Sequence, residues 1–277
     1  MSKYENYSEV AKHYDNTRVP LGAEVLLGAL LRLDRPLGEA RLLDAGCGTG
    51  AYSALAVDLV GHVDAMDINP GMLEVARAKL ADETTAGRIH WHQGSIDRMP
   101  FEDGHFDAVM FNQVLHHLES GEDHHFDGHR RALGEAHRVL RPGGLVVVNC
   151  TTHAQLRDGY WYMHLLPTAL DTLYRRCISG PQLEAVLSNL GFDLSGRFVP
   201  LDDVFQGPSY FDAEAPLDPA WRRGESSWSL APDSELRAAL ARLRDLRSSG
   251  GLEVYFAEQD AKRSEVGQTT YFLARKA

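Results

Sequence analysis

The stretch Arg41–Gly61, RLLDAGCGTGAYSALAVDLVG, constrains the fold more than any other part of the chain. A short apolar run ends in Asp44, then in Gly46, Gly48 and Gly50, and passes directly into an amphipathic segment. That is a strand, a glycine turn and a helix. The unit then repeats. HVDAMDIN reads as a second strand, and PGMLEVARAKLADE as a helix with proline near its first turn. IHWHQGSI is a third strand. FDAVMFNQV is a fourth, with the near-continuous apolar run of a strand buried on both faces. GHRRALGEAHRVL follows as a helix stopped by RPGG, and LVVVNC is a fifth strand. This alternation predicts an α/β fold, a parallel sheet with helices on both faces, whose ligands sit at the carboxyl ends of the strands.

After Cys150 the pattern loosens. GYWYMHLLPTALDTLYRR predicts an aromatic-rich helix, and SGPQLEAVLSNLGF a helix with a serine cap and a glycine stop. DLSGRFVPL predicts a sixth strand and TTYFLARK a closing one. Between them lie Pro208, Pro216, Pro219 and Pro232, in a lid or insertion at about 202–250 with helices near 234–247 and 251–263. The expected organisation is an N-terminal cap over 1–40, a ligand-binding core over 41–150 and an acceptor-side region over 151–277.

Composition narrows the function. The net charge of −11, with no Lys/Arg cluster, argues against nucleic acid as a partner. The N-terminal residues have no apolar core of signal-peptide length, and no stretch reaches transmembrane length without a charge. Cys47, Cys150 and Cys177 are scattered and odd in number, which fits a reducing compartment. The expectation is a cytoplasmic protein with no membrane partner.

The glycine loop carries the chemistry. A dinucleotide fingerprint is G-x-G-x-x-G, whereas here the spacing is G-x-G-x-G with Asp44 just ahead of it. An aspartate there would repel a pyrophosphate and attract an ammonium group. The loop therefore suits a nucleoside carrying an amino acid. Asp67, ending the second strand, can accept from both ribose hydroxyls. Ile68 and Met72 could flank the base, and Asp97, after the third strand, could reach an exocyclic amino group. Each acid alone would be an ordinary solvated strand-end carboxylate. Three at successive strand ends, with the glycine loop, favour a ligand site.

These residues carry a family resemblance. LLDAGCGTG resembles the D/E-x-G-x-G-x-G loop of the class I S-adenosylmethionine-dependent methyltransferases, and MDINPGML their second motif. GSIDRMPFEDGHFDAVMFNQVLHHL resembles the third and fourth strands of the branch that includes ubiquinone-biosynthesis-type enzymes, and RVLRPGGLVVV the lead into their fifth. The resemblance covers about 40% of the chain. It implies a Rossmann-like, mostly parallel seven-stranded sheet with a reversed final strand, and S-adenosylmethionine as cofactor. Carried over by position, Gly46, Gly48 and Gly50 lie under the methionine part, with Cys47 between them and Asp44 near its amino group. Asp67 holds the ribose. Ile68, Met72 and Ile96 flank adenine, with Ser95 and Asp97 at its edge, and Asn112 and Gln113 lie against the methionine part.

Methyl transfer from a sulfonium needs alignment and exclusion of water, not a metal. His116 and His117 follow the fourth strand, where such enzymes bring acceptor and cofactor together; they are candidates for a base or an orienting donor, and equally for mere loop-shaping. His125 and His129 have metal-pair spacing, but Gly121 and Gly128 argue against one regular helix there, so His124, His125 and His129 read as solvated and no metal is expected. Tyr7, Tyr14 and Arg18 are candidates for a pocket roof, and Tyr160 and Trp161 for acceptor contacts. The resulting expectation is an enzyme that methylates a small molecule at oxygen, nitrogen, carbon or sulfur. The alternatives are a nonenzymatic adenosylmethionine-binding regulator and an NAD-dependent oxidoreductase. Oligomeric state is left open.

Overall fold

The computed structural model describes residues 19–118 and 126–277. Seven strands form one sheet: β1 (Arg41–Ala45), β2 (His62–Asp67), β3 (Ile89–Gln93), β4 (Phe106–Asn112), β5 (Leu140–Cys150), β6 (Phe192–Phe198) and β7 (Thr270–Lys276). Their order is β3-β2-β1-β4-β5-β7-β6. The pairs among β1 to β5 are parallel, and β7 runs antiparallel to both β5 and β6. The sheet is therefore mostly parallel with a reversed last strand, the Rossmann-like class expected.

Helices cover both faces. On one side lie α1 (Ala23–Leu30), α2 (Ala51–Ala56) and α3 (Pro70–Lys79), whose Leu26, Ala56 and Leu73 pack on Leu42, Val63 and Val147. A short α4 (Ala81–Thr85) follows. On the other side α5 (Asp127–Val139) sets Leu133 and Ala136 against Val109, Val146 and Val148. Every residue of β4 is buried, as a central strand covered on both faces requires.

Beyond β5 come α6 (His153–Asp158), α7 (Pro167–Arg176) and α8 (Gly180–Asn189). After β6 come α9 (Pro219–Arg223), α10 (Ser226–Leu230), α11 (Asp233–Ser248), α12 (Leu252–Asp260) and α13 (Arg263–Val266). These helices, except α8 and α13, build a second core around Trp161, Tyr162, Tyr210, Trp221 and Trp228. α8 returns to the sheet: Ser179 and Gln182 form its capping box, and Gly191 turns the chain at φ 87°. Among the described residues no helix is long and apolar enough to cross a membrane.

Three local expectations are corrected. The single aromatic helix expected over 159–176 is a 3₁₀ turn at Met163–Leu165 followed by α7. Pro167 has no N–H to donate to a preceding turn, and it instead takes the first position of a new helix, with Leu166 at ψ 58°. The helix expected over 70–83 breaks at Leu80 (φ −114°, ψ 42°). The RPGG segment does not simply stop the chain; it runs extended as the start of β5, with Gly143 at φ 75° and a register shift opposite Phe106 and Ala108.

Asp107 ties the amino end of the sheet together. It is 2% exposed and accepts from the Arg41 amide (2.8 Å) and from Arg141 Nε (2.5 Å), with Arg35 Nε at 3.4 Å. Its removal leaves the Arg41 amide without its acceptor and Arg141 with Asp34 as its remaining carboxylate. Asp107→Ala is expected to lower the unfolding free energy by about 2 kcal/mol. An unchanged guanidinium midpoint would dismiss this anchor.

Candidate active site

A cavity of about 470 Å³ opens at the carboxyl ends of β1, β2 and β4. The β1 loop forms one wall. The amides of Gly46 and Cys47 both donate to the Met66 carbonyl, at 2.7 and 2.9 Å, which draws the loop across the end of β2. Gly46 (φ 83°) has no room for a side chain, since a Cβ would lie 2.3 Å from Val114 Cγ2. Gly48 (φ 54°) differs: a Cβ there would meet nothing within 4 Å, because the residue faces the cavity. The loop is thus a cradle whose backbone is open to a ligand.

Asp67 lies at the cavity edge. Its Oδ2 accepts from the Gly48 amide (2.9 Å) and its Oδ1 from the Asn69 amide (2.8 Å). Burial pushes its carboxyl above the usual range, opposed by these backbone bonds. The carboxylate is thereby fixed in orientation, and each oxygen has a further lone pair for a donor on the cavity side. Asn69 caps α3 by accepting from the Gly71 and Met72 amides, which seats Met72 in the lining. Ile68, Ser95 and Ile96 complete this corner.

Asp44 is fully buried beneath the loop. Ser53 Oγ donates to its Oδ2 at 2.6 Å, while Oδ1 has no partner. Burial pushes its carboxyl up to about 7, against the opposing influence of the Ser53 hydroxyl and the Asn112 amide. Asn112, at the end of β4, is buried with its amide beside the Asp44 carboxyl, but neither of its amide atoms makes a hydrogen bond of good geometry. Beside it Gln113 takes φ 51°, unusual for a side-chain-bearing residue. Its amide Nε2 donates to Asn149 Oδ1 (3.1 Å) and Thr269 Oγ1 (2.8 Å), and its backbone amide to the Asn149 carbonyl (2.8 Å). That net holds the chain in the strained turn leading to Leu115–His117.

His116 and His117 line the cavity with ring centroids 4.0 Å apart. Burial, reinforced by Arg176, pushes the His117 imidazole down to about 4. The other half of the cavity is mostly apolar, from Leu156, Tyr160, Tyr162, Met163, Leu173 and Phe205. Glu225, 1% exposed, accepts at Oε2 from the Tyr162 hydroxyl (2.9 Å) and Gln206 Nε2 (2.8 Å), with Arg223 nearby in the lining.

Comparison with known proteins sets this geometry in context. The methyltransferase-domain family matches residues 43–148. A demethylmenaquinone methyltransferase of Clavibacter sepedonicus is 34% identical over 145 residues, 51% of this chain and 55% of that one. An uncharacterised methyltransferase of Mycobacterium tuberculosis is 31% identical over 144 residues, 52% of this chain and 67% of that one. The chain belongs to the class I S-adenosylmethionine-dependent methyltransferases. It nevertheless spans only 55% of the length of the Clavibacter relative. The fold extends further than the sequence match: a methyltransferase described as from an antibiotic biosynthesis pathway of Anabaena variabilis covers 95% of this chain and 100% of its own, at TM-score 0.72 and 20% identity.

The residues present fit the cofactor of this family. The unpartnered Asp44 Oδ1 and Asn112 amide are buried at one end of the cradle, where the ammonium and carboxylate of an amino acid would supply the missing donors and acceptors. The fixed carboxylate of Asp67 offers lone pairs suited to a vicinal diol, and Ile68, Met72 and Ile96 offer apolar surface for a base.

Ten of the residues expected to hold cofactor line the cavity: Gly46, Cys47, Gly48, Asp67, Ile68, Met72, Ser95, Ile96, Asn112 and Gln113. Asp44, Gly50 and Asp97 do not. Asp44 lies buried beneath the loop. Gly50 (φ 77°) starts α2 and serves packing, for its Cβ would lie 3.2 Å from Ala76 Cβ. Asp97 is turned to Ser95 Oγ (2.5 Å) and to Arg131 Nε (3.4 Å), which hold its carboxyl below the usual range. Tyr160 lines the acceptor half, but Trp161 does not; it is 1% exposed and packs on Tyr162 and Phe256. His129 is the clearest reversal. It is not solvated but fully buried, with Phe126 against its ring. Tyr7, Tyr14, Arg18, His124 and His125 lie outside the described residues. Sequence reasoning missed Tyr52, Thr151, Phe205 and Glu225 as lining residues, whereas Tyr162 belongs to the aromatic GYWYMH run that suits an acceptor lid.

His117 and His129 both have imidazoles pushed down to about 4 by burial. Their NMR ring signals are expected to hold steady from neutral pH to about pH 5, well below the ordinary histidine midpoint. A midpoint near 6.5 for either would refute its burial. Gly46→Ala is expected to cost about 2 kcal/mol or more and to abolish cofactor binding, as measured by denaturation and calorimetry.

Proposed function

We propose that this protein transfers a methyl group from S-adenosylmethionine to a small, largely apolar acceptor. One observation carries this reading: a single cavity joins the glycine cradle and Asp67 to the aromatic pocket of Tyr160, Tyr162 and Phe205, with His116 and His117 in its lining. A protein that only sensed the cofactor would have no need of that second compartment. The volume of about 470 Å³ is in the range of small-molecule sites.

The cofactor supplies an electrophilic methyl group on a sulfonium that is already a good leaving group. The chain's contribution is placement. Asp67, Asn112 and the glycine loop would hold the donor, in the same cavity as the aromatic half that would take the acceptor. The apolar walls keep water from the reacting centre, where positive charge disperses. His117 stays neutral at physiological pH and is a weak base, so it suits an acceptor whose nucleophile is acidic or already anionic. His116 and His117 then orient the acceptor through hydrogen bonds. The name of the Clavibacter relative points to demethylmenaquinone, and the aromatic and aliphatic lining suits an aromatic ring of that kind. Tyr160 and Phe205 are the side chains we assign to it. The helices over 202–250 form the outer side of this compartment and act as its lid.

Calorimetric titration tests the cofactor half. Adenosylmethionine and adenosylhomocysteine are expected to bind at about micromolar Kd and NAD not at all; NAD binding alone would overturn the reading. Asp67→Ala is expected to weaken the first two by about tenfold or more with the fold intact. A pH dependence follows from Asp44. Its carboxyl, at about 7 without ligand, is raised above the ordinary value, so a proton is bound there below neutrality. An ammonium nearby favours the ionised form, so binding below that point releases the proton. Affinity is expected to rise from pH 6 to pH 7 by up to about tenfold and to flatten above, with proton release visible in buffers of differing ionisation heat. Affinity that falls over this interval would separate Asp44 from the ligand.

A further inference from the structure

A second, much smaller cavity of about 10 Å³ lies behind the wall of the main one, and His116, Thr151 and Cys177 line both. On its far side is His129, on α5. This imidazole is 0% exposed, and neither ring nitrogen has a partner. A neutral imidazole carries one donor and one acceptor, and burying both unmet is costly. The flanking groups within α5 offer nothing: Phe126 presents its ring edge-on, with centroids 5.0 Å apart. The cavity offers a remedy. A water needs roughly 10–15 Å³ of such space and two to four polar partners. Here the partners are the His129 ring, the His116 ring and the Thr151 hydroxyl, with the thiols of Cys150 and Cys177 as weaker ones.

We infer that one internal water occupies this cavity and bonds His129 to His116 and Thr151, making His129 a positioning residue that fixes the tautomer and ring orientation of His116 in the wall of the main cavity. Thr151 extends the link. Its hydroxyl donates to the Gln268 carbonyl (3.1 Å) and lies 3.3 Å from Gln113 Oε1, and it can accept from the water. The chain from α5 thus ends at Thr151, whose hydroxyl is held by the Gln268 carbonyl beside Gln113. His129, placed by sequence among solvated histidines, then has a use that no direct contact with a ligand provides. The inference rests on the methyl-transfer reading only in giving His116 an acceptor to face.

Long-range proton–nitrogen NMR of the full chain, saturated with adenosylhomocysteine, tests it. In the unaltered protein His129 is expected to show one neutral tautomer with a hydrogen-bonded ring nitrogen, and cross-relaxation to a long-lived water. His129→Phe preserves the ring shape without nitrogen, and it is expected to shift the His116 ring nitrogens toward a tautomer average. His129→Gln keeps a polar group and is expected to restore them in part. Unmoved His116 signals in His129→Phe, or no long-lived water beside His129 in the unaltered protein, would overturn the inference. The second criterion stands even where the Phe variant fails to fold. Failure of adenosylhomocysteine to bind the unaltered protein would instead count against the methyl-transfer reading, and the His129–His116 coupling can then be read in ligand-free protein.

Discussion

One carbonyl holds the site together. The oxygen of Met66 accepts from two consecutive amides, those of Gly46 and Cys47, and so fastens the end of β1 to the end of β2. The Gly48 amide then reaches Asp67, one residue beyond Met66, so a second bond doubles the first. Three amides that might have pointed at solvent are used to close the loop. Only a backbone with positive φ at Gly46 and Gly48 can present them in this way, and only a residue without Cβ can lie against Val114 as Gly46 does. The floor of the cavity, the aim of the Asp67 carboxylate and the burial of Asp44 beneath the loop all follow from that closure.

The second half of the cavity depends on a different force. Trp161, Tyr210, Trp221 and Trp228 bury their large rings in a core of their own and leave Tyr160, Tyr162 and Phe205 at its margin as a wall. Ring edges meet ring faces in several of its pairs, as for Tyr162 on Trp221 at 5.7 Å and 89°. This is a rigid way to shape a pocket, since aromatic side chains have few rotamers to lose. Glu225, Tyr162 and Gln206 form a polar seam inside this apolar layer. The sheet thus presents the donor side by hydrogen bonding, and the helical layer presents the acceptor side by packing.

The sheet was legible in the sequence because its signals are local and repeated. Apolar runs of strand length, each followed by glycine or proline and a helical period, admit few other folds, and the segments read as seven strands are strands in the structure. The cofactor half was legible for the same reason: Asp67, Ile68 and Asn112 sit at strand ends, whose place in a parallel sheet is fixed by topology, and Met72 follows in the first turn of α3. What failed depends on rotation and on distant partners. Asp97 has the right position but turns to Arg131, thirty-four residues away in sequence. Tyr160 and Trp161 are neighbours in a turn, so one faces the cavity and the other the core, and no periodic pattern distinguishes them there. His129 looked solvated among Asp127, Arg130 and Arg131, yet it sits on the helical stripe with Ala132, Leu133 and Ala136 that faces the sheet. Its residue type hid what its spacing shows.

The position of β7 bears on how the chain reaches its native state. This strand is last in sequence but lies between β5 and β6 in the sheet. Until it arrives, β5 and β6 have no hydrogen-bonded ladder joining them and each presents a bare edge. The same late segment brings Thr269, which braces Gln113, and Gln268, whose carbonyl receives Thr151. Closing the sheet and stiffening the turn after β4 are therefore a single event, and it requires contacts between residues more than a hundred positions apart. Long-range strand insertion of this kind is slow relative to helix formation. A nascent chain with its first five strands paired would hold most of the glycine cradle while the turn that carries His116 and His117 still lacked the Thr269 part of its brace.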